Sequence, residues 1–432
     1  MNTDASRPLP EGMPHIACIL LWYPLFTQPF IFREVENLKQ RLPVEIYTLY
    51  ASNLRYCSAE MRAAAGNVRT AGMRRLPCFC FDVLRGFLTQ PALLWRLLKR
   101  SLFRRWHNFE TFAENLWAFC AGVSLGRLLR EDGIDMLYAP WPRGTATAAW
   151  VAANIAGIPF ATAARGDNLE PADPDLGAKF EAALFIRANN AADQARIEAF
   201  DHGQAKNKVA LIYNSLTLPS PVAARQTRRR CPVRLLALGR FDVTKGFDVL
   251  LAACDVLQRN GLNFHLTLAG GGGKVMGLGG MEARLVTMRK NLGLESRVEM
   301  PGLISHDDLP GILRNHDIFV APCVVHASGR RDGIPNTVIE ALAYGLPVIS
   351  TTVNALPEVV RDRETGLLVP PGDPEALAGA VFRLAQNPDE ALRMGRNGML
   401  LVAEMFDPER NSRRLAELFV SQHALWKKSC AA

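Results

Sequence analysis

The sequence lacks the features that mark membrane, secreted or metal-binding proteins. No run approaches the roughly 18 consecutive apolar residues that cross a bilayer. The apolar segment His15–Trp22 is short and has no basic residues leading into it. We therefore expect neither a signal peptide nor a transmembrane helix. The nine cysteines are scattered without a C-x-x-C pair, which favours reduced thiols in a cytoplasmic protein and predicts no metal site.

Common nucleotide-binding fingerprints are absent as well. The glycines that begin at Gly270 do not complete a G-x-G-x-x-G pattern, because residue 275 is valine, and this argues against a nicotinamide cofactor. The turn after Leu238 is not a Walker A loop, which requires Gly-Lys-Ser/Thr after four free positions. No nucleic-acid-binding module is found, so nucleic acid is not an expected partner.

Charge is distributed unevenly along the 432 residues. Residues 1–230 carry 28 Lys and Arg against 20 Asp and Glu, whereas residues 231–432 carry 22 of each. A chain of this length normally forms more than one domain, because single cores rarely grow past about 250–300 residues. We therefore expect two domains, of which only the first presents a basic surface.

Short apolar runs alternate with longer amphipathic ones in both halves, which is the pattern of βαβ units. Prolines and a basic cluster interrupt the pattern at residues 217–232 and predict a linker. The sequence predicts an α/β protein with Rossmann-like domains at 1–216 and 233–407 and a C-terminal helix at 408–432. The strand candidates are 15–21, 44–49, 136–139, 160–163, 209–213, 234–238, 264–269, 297–300, 317–321, 347–351 and 366–369.

The segment from Asp332 to Glu340 is the most informative part of the chain. Between these two carboxylates lie a glycine, a proline and the start of a predicted helix at 335–344. Pro335 suits the first helical position, because its missing N–H would have no partner there. Free amides at a helix start attract a phosphate, and the carboxylates can accept hydrogen bonds from sugar hydroxyls. Together they indicate a site for a nucleotide sugar.

A second loop carries two cations five residues apart. Arg240 and Lys245 lie between Gly239 and a predicted helix, after the first strand of the second domain. Doubly wound sheets bind ligands at the carboxyl ends of their strands, which is where this loop lies. A guanidinium and an ammonium there can hold a pyrophosphate and neutralise the charge that builds on it as a bond breaks. The alternative is a pair of solvated surface cations.

The order of these segments resembles the retaining glycosyltransferases of family 4, which have the GT-B fold. The resemblance covers most of residues 209–420. In the first half, Thr27–Ile31 and Glu34 resemble bacterial exopolysaccharide and colanic-acid type members. The resemblance implies two facing Rossmann-like domains with a cleft between them, and a final helix that crosses back to the first domain. It is carried by Gly239–Gly246, Arg297–Gly302, Asp332–Ala341 and Gly345–Ile349.

The resemblance also implies roles for individual residues. Arg240 and Lys245 match the pair that contacts the donor diphosphate. Glu340 matches the carboxylate at the nucleotide ribose, and Asp332 matches the one near the donor sugar. Arg240, Lys245 and Asp332 are the implied catalytic residues. The implied donor-binding set is Gly239, Arg240, Lys245, Asp332, Gly333, Ile334, Pro335, Asn336, Thr337 and Glu340.

The implied reaction moves a sugar, with retention, from a nucleotide-diphosphate sugar to a saccharide or lipid-linked saccharide in polysaccharide biosynthesis. No protein nucleophile is evident, which suits front-face attack in which the leaving diphosphate takes the acceptor's proton. The protein then mainly orients the substrates and stabilises the leaving group. Cationic side chains and helix amides serve in place of a metal, so neither a metal nor another cofactor is expected.

Two positions depart from the family pattern. The first carboxylate is usually Glu and is Asp332 here, which is one methylene shorter. The first-domain site of the family commonly has a His after a strand, where this chain has Ala164. Arg165 and Asp167 are nearby candidates for the acceptor side, and a loop ion pair is the alternative interpretation of both.

Residues 85–109 form a basic amphipathic segment of the first domain. A helix is predicted over 91–109, with Leu94, Leu98, Leu102 and Phe109 on one face and four cations opposite. This arrangement suits a helix that lies on an anionic membrane, here the inner face of the cytoplasmic membrane. The alternative is an ordinary helix that docks on the core of the first domain.

Two other functions remain open at this point. The chain could be a donor-binding GT-B protein with little or no transferase activity. This alternative is suggested by Asp332 and Ala164, the two departures from the family pattern. It could also be a sugar-nucleotide epimerase, although that chemistry needs further carboxylates and a His facing the donor from the first domain. The sequence identifies neither the sugar nor the base of the donor.

Overall fold

The structure, a computed structural model, describes residues 12–54, 57–72, 75–106, 109–165, 169, 172–200, 205–216, 231–271 and 279–431. The chain divides into two compact units. The first contains Met1–Asn189, Asp193–Ser215 and Pro408–Ala432, and the second contains Asn190–Ala192 and Leu216–Asp407. The C-terminal segment therefore packs with the first unit.

The first unit is built on a parallel sheet with the strand order β3-β2-β1-β4-β5-β6-β7. Its central strands are buried on both faces, because helices cover both sides of a parallel sheet. The strands are β1 (Ile16–Leu25), β2 (Val44–Asn53), β3 (Val68–Thr70), β4 (Met136–Ala139), β5 (Phe160–Ala164), β6 (Ile186–Ala188) and β7 (Val209–Leu211).

Eight α-helices of the described chain precede β8, and the last α-helix of the chain packs with the same unit. They are α1 (Pro29–Lys39), α2 (Ala59–Ala64), α3 (Leu76–Thr89), α4 (Pro91–Ser101), α5 (Phe109–Glu131), α6 (Gly144–Ala156), α7 (Leu176–Ala182), α8 (Ala191–Ala199) and α15 (Pro408–Ala431). The buried ring of Phe419 on α15 makes edge contacts with Tyr138 and Phe185 of the first unit. This apolar contact explains why the final helix packs with the first unit.

The second unit repeats the design with the strand order β10-β9-β8-β11-β12-β13, again parallel. Its strands are β8 (Val233–Arg240), β9 (Phe264–Gly271), β10 (Val298–Glu299), β11 (Ile318–Ala321), β12 (Val348–Thr351) and β13 (Gly366–Val369). Its helices are α9 (Phe247–Arg259), α10 (Gly279–Asn291), α11 (Leu309–Asn315), α12 (Asn336–Ala343), α13 (Pro374–Gln386) and α14 (Pro388–Met405).

The predicted α/β class with two parallel Rossmann-like sheets is confirmed. All the strand candidates are found, and the structure adds two short strands, β3 and β6, that were not predicted. The predicted linker falls largely on residues 217–230, which lie outside the described part of the chain. None of the helices in the described part is both long enough and apolar enough to span a membrane.

The helix predicted over residues 91–109 is wrong in extent. Helix α4 ends at Ser101. The carbonyl of Leu102 then accepts hydrogen bonds from the Arg104 amide and from the Trp106 indole, so it is not available to continue the helix. Leu94 and Leu102 are buried in the core of the first unit. Leu94 and Leu102 of the predicted apolar face therefore pack against protein, in agreement with the alternative of a helix docked on the first core, whereas Phe109 is 81% exposed.

Candidate active site

The candidate site lies where the strand order of the second sheet reverses. Strand β8 lies between β9 and β11, and the loops after β8 and β11 leave the sheet at the same carboxyl edge. In doubly wound sheets, ligands bind in the crevice at this reversal. Arg240 is the last residue of β8, the loop after this strand carries Lys245, and the loop after β11 carries Asp332.

The first loop is held by a short 3-10 turn, Val243–Lys245. Gly246 follows in the left-handed region, with φ of 65°, and is the N-cap residue of α9. A Cβ at this position would lie 2.0 Å from the carbonyl oxygen of Pro322, so only glycine fits. The close approach of Gly246 to Pro322 fixes the loop after β8 against the loop after β11.

Lys245 and Asp332 meet at the centre of this site. The Lys245 Nζ lies 3.2 Å from Asp332 Oδ2, with side chains that are only 12% and 14% exposed. The Thr244 hydroxyl donates to the same carboxylate oxygen over 3.2 Å, across a separation of 88 residues in the chain. The stem of Lys245 passes over Gly239, since a Cβ there would be 3.5 Å from Lys245 Cε. These contacts bring together three predicted site residues, Gly239, Lys245 and Asp332, and add Thr244 to them.

The pKa of Lys245 is subject to opposing effects. Burial disfavours its charged form, and the nearby Arg240 acts in the same direction. The Asp332 carboxylate outweighs both, so the pKa of Lys245 lies above its ordinary value. The lysine is therefore held as a cation at neutral pH, which is the state that a diphosphate ligand requires.

A second ion pair, between Asp242 and Arg330, holds the same loop. Asp242 is buried and accepts from the Thr244 amide at 3.0 Å and from the Arg330 guanidinium at 2.9 Å. Burial alone would raise the pKa of Asp242, but the Thr244 amide and Arg330 lower it below its usual value. Asp242 and Arg330 were not predicted as site residues, and they link the same two loops.

Helix α12 begins beside Asp332. Pro335 is its N-cap residue, with ψ of 132°, and the helix starts at Asn336, one residue later than predicted. The Thr337 hydroxyl donates to the Leu238 carbonyl over 3.2 Å, which ties the helix start to the end of β8. Asn354 donates to the Asp332 carbonyl over 2.9 Å and fixes the preceding loop.

The remaining donor-site residues have distinct environments. Glu340 lies in the second turn of α12 and is 6% exposed. Gly333 and Asn336 are half-buried, whereas Ile334 is buried. The structure thus places the predicted donor set at the end of β8, in the two loops and in the first two turns of α12, all at one edge of the second sheet. The roles of these residues stay predictions.

Arg165 lies at the carboxyl edge of the first sheet, just after β5. Its guanidinium is buried and donates to Glu34 at 2.6 Å and to Asn214 at 2.8 Å. It also stacks on the rings of Phe30 and Trp141, with 5.2 and 5.6 Å to the ring centroids. Arg165 therefore anchors this edge from inside the unit.

Glu34 is the centre of this buried network. It also accepts from the Tyr138 hydroxyl at 2.6 Å and contacts the guanidinium of Arg187 on β6. Burial alone would raise the pKa of Glu34, but Arg165 and Arg187 lower it to about 2. The role of Arg187 was missed by sequence reasoning, although a cation within an apolar strand segment is a signal that could have been used.

The acceptor-side interpretation of Arg165 and Asp167 stays a prediction. Asp167 lies outside the described residues. Ala164, at the position where the family commonly has a His, is fully buried at the end of β5. Among the described residues, no group of three or more His, Cys, Asp or Glu side chains is arranged to hold a metal ion.

The chain is similar in sequence to known glycosyltransferases. Residues 225–400 match the family of the glycosyl transferases group 1. WcaL of Escherichia coli K12, which is named for colanic acid biosynthesis, is 33% identical over 201 residues, covering 46% of this chain and 47% of WcaL. The predicted resemblance to exopolysaccharide-type glycosyltransferases is confirmed. AmsK, an amylovoran biosynthesis glycosyltransferase of Erwinia amylovora, is 32% identical over 187 residues, covering 43% of this chain and 44% of AmsK.

The sequence of this glycosyltransferase-like chain spans about half the length of the curated relatives it matches. A solved structure extends the likeness further. HepE (Alr3699) of Anabaena, in complex with UDP and glucose, has a TM-score of 0.70 at 17% identity and covers 94% of this chain and 100% of its own. This likeness establishes the fold alone, and the predicted GT-B fold is confirmed. The predicted cleft between the units stays a prediction.

The fit of Gly246 against Pro322 can be tested by two matched substitutions. Gly261 also has a positive φ, at the other end of α9, but has open space around it. We expect Gly261→Ala to cost about 1 kcal/mol, the usual penalty for a side chain in the left-handed region. Gly246→Ala should cost at least about 2 kcal/mol more, because its methyl group overlaps a carbonyl oxygen. Urea unfolding measures both, and equal costs would contradict this packing.

The Lys245–Asp332 pair can be tested through the lysine pKa. Asp332→Asn should lower the pKa of Lys245 below its ordinary value, because burial, the largest effect, and Arg240 are then opposed only by Cys323. In the wild type the raised pKa stabilises the fold at neutral pH, and this contribution is lost as the pH rises through that pKa. NMR titration of lysine side chains measures the shift. Asp248→Asn, which removes a surface contact with Arg284, is the control, and an unchanged Lys245 pKa in Asp332→Asn would refute the pairing.

Proposed function

We propose that this chain transfers a sugar from a nucleotide-diphosphate sugar to a saccharide or lipid-linked saccharide in exopolysaccharide biosynthesis. The names of WcaL and AmsK support the biosynthetic context. The complex of HepE with UDP and glucose supports a nucleotide-sugar donor. The observation that carries the proposal is the meeting of Lys245 and Asp332 beside the start of α12.

The donor diphosphate would lie between the cations and the helix start. Arg240 and Lys245 supply positive charge, and the first amides of α12 supply hydrogen-bond donors. An ammonium has three donors, so Lys245 can bind a phosphate oxygen while it keeps its contact with Asp332. As the glycosidic bond to the diphosphate breaks, negative charge grows on the leaving oxygen, and these fixed groups stabilise it.

The two carboxylates would bind hydroxyl groups on either side of the diphosphate. Glu340 is assigned to the nucleotide ribose and Asp332 to the donor sugar. The contacts of Asp332 with Thr244 and Lys245 both use Oδ2, so Oδ1 is the oxygen proposed to accept from the sugar. The short Asp side chain is thereby held by Lys245, and its distance from the sugar depends on that pair.

The proposed reaction proceeds with retention and without a metal. The acceptor oxygen forms a bond to the anomeric carbon on the face that the diphosphate leaves. The bond from that carbon to the diphosphate oxygen breaks, and the acceptor's proton passes to the departing oxygen. The protein contributes orientation and electrostatic stabilisation, through Arg240, Lys245 and α12. We place the reaction on the cytoplasmic side of the membrane.

A second candidate is a protein that binds the donor but transfers little or no sugar. The observation that favours it is in the first unit, where Ala164 is buried and offers no imidazole and Arg165 is held inside by Glu34. Measuring nucleotide-sugar binding and transfer separately decides between the two candidates. Binding without transfer to any saccharide or lipid-linked saccharide would favour the second.

The site assignment predicts the effects of two conservative substitutions. Lys245→Met keeps the apolar stem, and Glu340→Gln keeps the volume of a buried side chain. Lys245→Met should lower sugar transfer by about 100-fold or more, the usual effect of removing one charge-stabilising contact. Glu340→Gln should lower it by about ten-fold or more, because a hydrogen bond from the ribose to a charged group contributes about 1.5–3 kcal/mol. Lys290→Met, on the exposed side of α10, should leave transfer unchanged. Transfer is measured with radiolabelled nucleotide sugars and circular dichroism checks the fold; full activity in both site variants would refute the assignment.

A further inference from the structure

Helix α3 exposes an apolar stripe to solvent. Phe81, Leu84 and Leu88 are between 61% and 76% exposed, and their spacing of three and four residues places them on one face. The opposite face is buried, with Phe79 and Asp82 packed into the first unit. A surface helix normally turns its apolar stripe inward, so this outward stripe is unusual.

Helix α4 extends the exposed apolar surface. It follows α3 after the single residue Gln90, and Leu94 packs where a Cβ of Gly86 would lie, which holds the two helices together. Trp95 and Phe103 are 57% and 64% exposed, and their ring centroids are 5.9 Å apart. We call the solvent-facing side of α3, α4 and residues 102–105 the α3–α4 surface.

Unpaired cations accompany these apolar side chains. Five exposed cations lie on this surface: Arg85, Arg96, Lys99, Arg104 and Arg105. None of them has a carboxylate of the described residues within ion-pair distance. The only acidic residue of this segment, Asp82, is buried and accepts from Ser124. The α3–α4 surface therefore combines large apolar groups with positive charge that nothing in the described unit neutralises.

A basic cleft of about 570 Å³ borders this surface. Arg96 and Arg100 of α4, Lys208 and the rings of Trp150 and Trp426 line it. Arg100 contacts the Glu181 carboxylate, and Lys208 donates to the Glu181 carbonyl over 2.5 Å. Arg96 has no carboxylate partner in the described chain, and the positive surface continues into the cleft.

We propose that the α3–α4 surface docks the protein on an anionic phospholipid bilayer. Phe81, Leu84, Leu88 and Trp95 would enter the boundary between head groups and acyl chains, as the apolar faces of interfacial helices do. The unpaired cations would be attracted to the negative surface of an anionic leaflet. The docking involves the first unit only and does not rest on the proposed transferase activity.

The charge distribution favours a membrane over a second copy of the chain. A symmetric dimer brings the same patch of both subunits together, so the unpaired cations of one copy would face those of the other. Like charges at such an interface repel each other. An anionic bilayer supplies the opposite charge and also accepts the apolar side chains.

Vesicle flotation tests the proposal without donor or acceptor, so the result is independent of transferase activity. The probes are vesicles of phosphatidylglycerol with phosphatidylethanolamine, and vesicles of phosphatidylcholine alone. The wild-type protein should float with the anionic vesicles and much less with the neutral ones. Leu84→Ser with Leu88→Ser, and separately Arg96→Gln with Lys99→Gln, should each weaken binding at least ten-fold.

A matched control comes from an exposed leucine elsewhere. Leu400 on α14 is 68% exposed, and Leu400→Ser should bind vesicles as the wild type does. Thermal melting verifies that all variants are folded. The proposal is overturned if the wild type does not bind anionic vesicles, or if both double variants bind as well as the wild type. It is also overturned if the leucine variant converts a dimer to a monomer while vesicle binding is unchanged.

Discussion

The contact between Lys245 and Asp332 is the interaction on which the candidate site depends. It joins the two loops that leave the second sheet where its strand order reverses. Burial alone would lower the pKa of the lysine, and the Asp332 carboxylate raises it above its ordinary value. The approach of Gly246 to Pro322 and the pair Asp242–Arg330 connect the same loops. The position of the proposed catalytic cation is thus set by three contacts between two segments.

The sequence was sufficient to predict the alternating sheet architecture and the two loops of the donor site. Strand patterns and a proline before a helix are local signals, and they identified β8, β11 and the start of α12 closely. The pairing of Lys245 with Asp332 could not be predicted, because it depends on which strands are neighbours in the sheet. The partner of Asp242 was missed for the same reason. Strand β6 was missed because Arg187 interrupts its apolar pattern.

The first unit shows what helical periodicity leaves undecided. The pattern of residues 91–109 correctly indicated an amphipathic helix, but a pattern does not determine which side meets the protein. Leu94 packs into the core, whereas Phe81 and Leu88 on the preceding helix face solvent. The positions of the cations were predictable, because Arg96 and Lys99 are exposed whether the helix lies on a membrane or docks on the core. Similarly, Arg165 was considered for the acceptor side, and its inward contact with Glu34 became visible only in the folded chain.

The central claim, that the reversal point of the second sheet binds a nucleoside diphosphate, is tested most directly by a thermal-shift screen. Nucleoside diphosphates with each common base are added to the wild type, Lys245→Met and Lys290→Met. A ligand at 100 times its dissociation constant stabilises the native state by about 2.7 kcal/mol. We predict that at least one diphosphate raises the melting temperature of the wild type and of Lys290→Met, but not of Lys245→Met. No shift with any diphosphate, or an equal shift in all three proteins, would contradict the account.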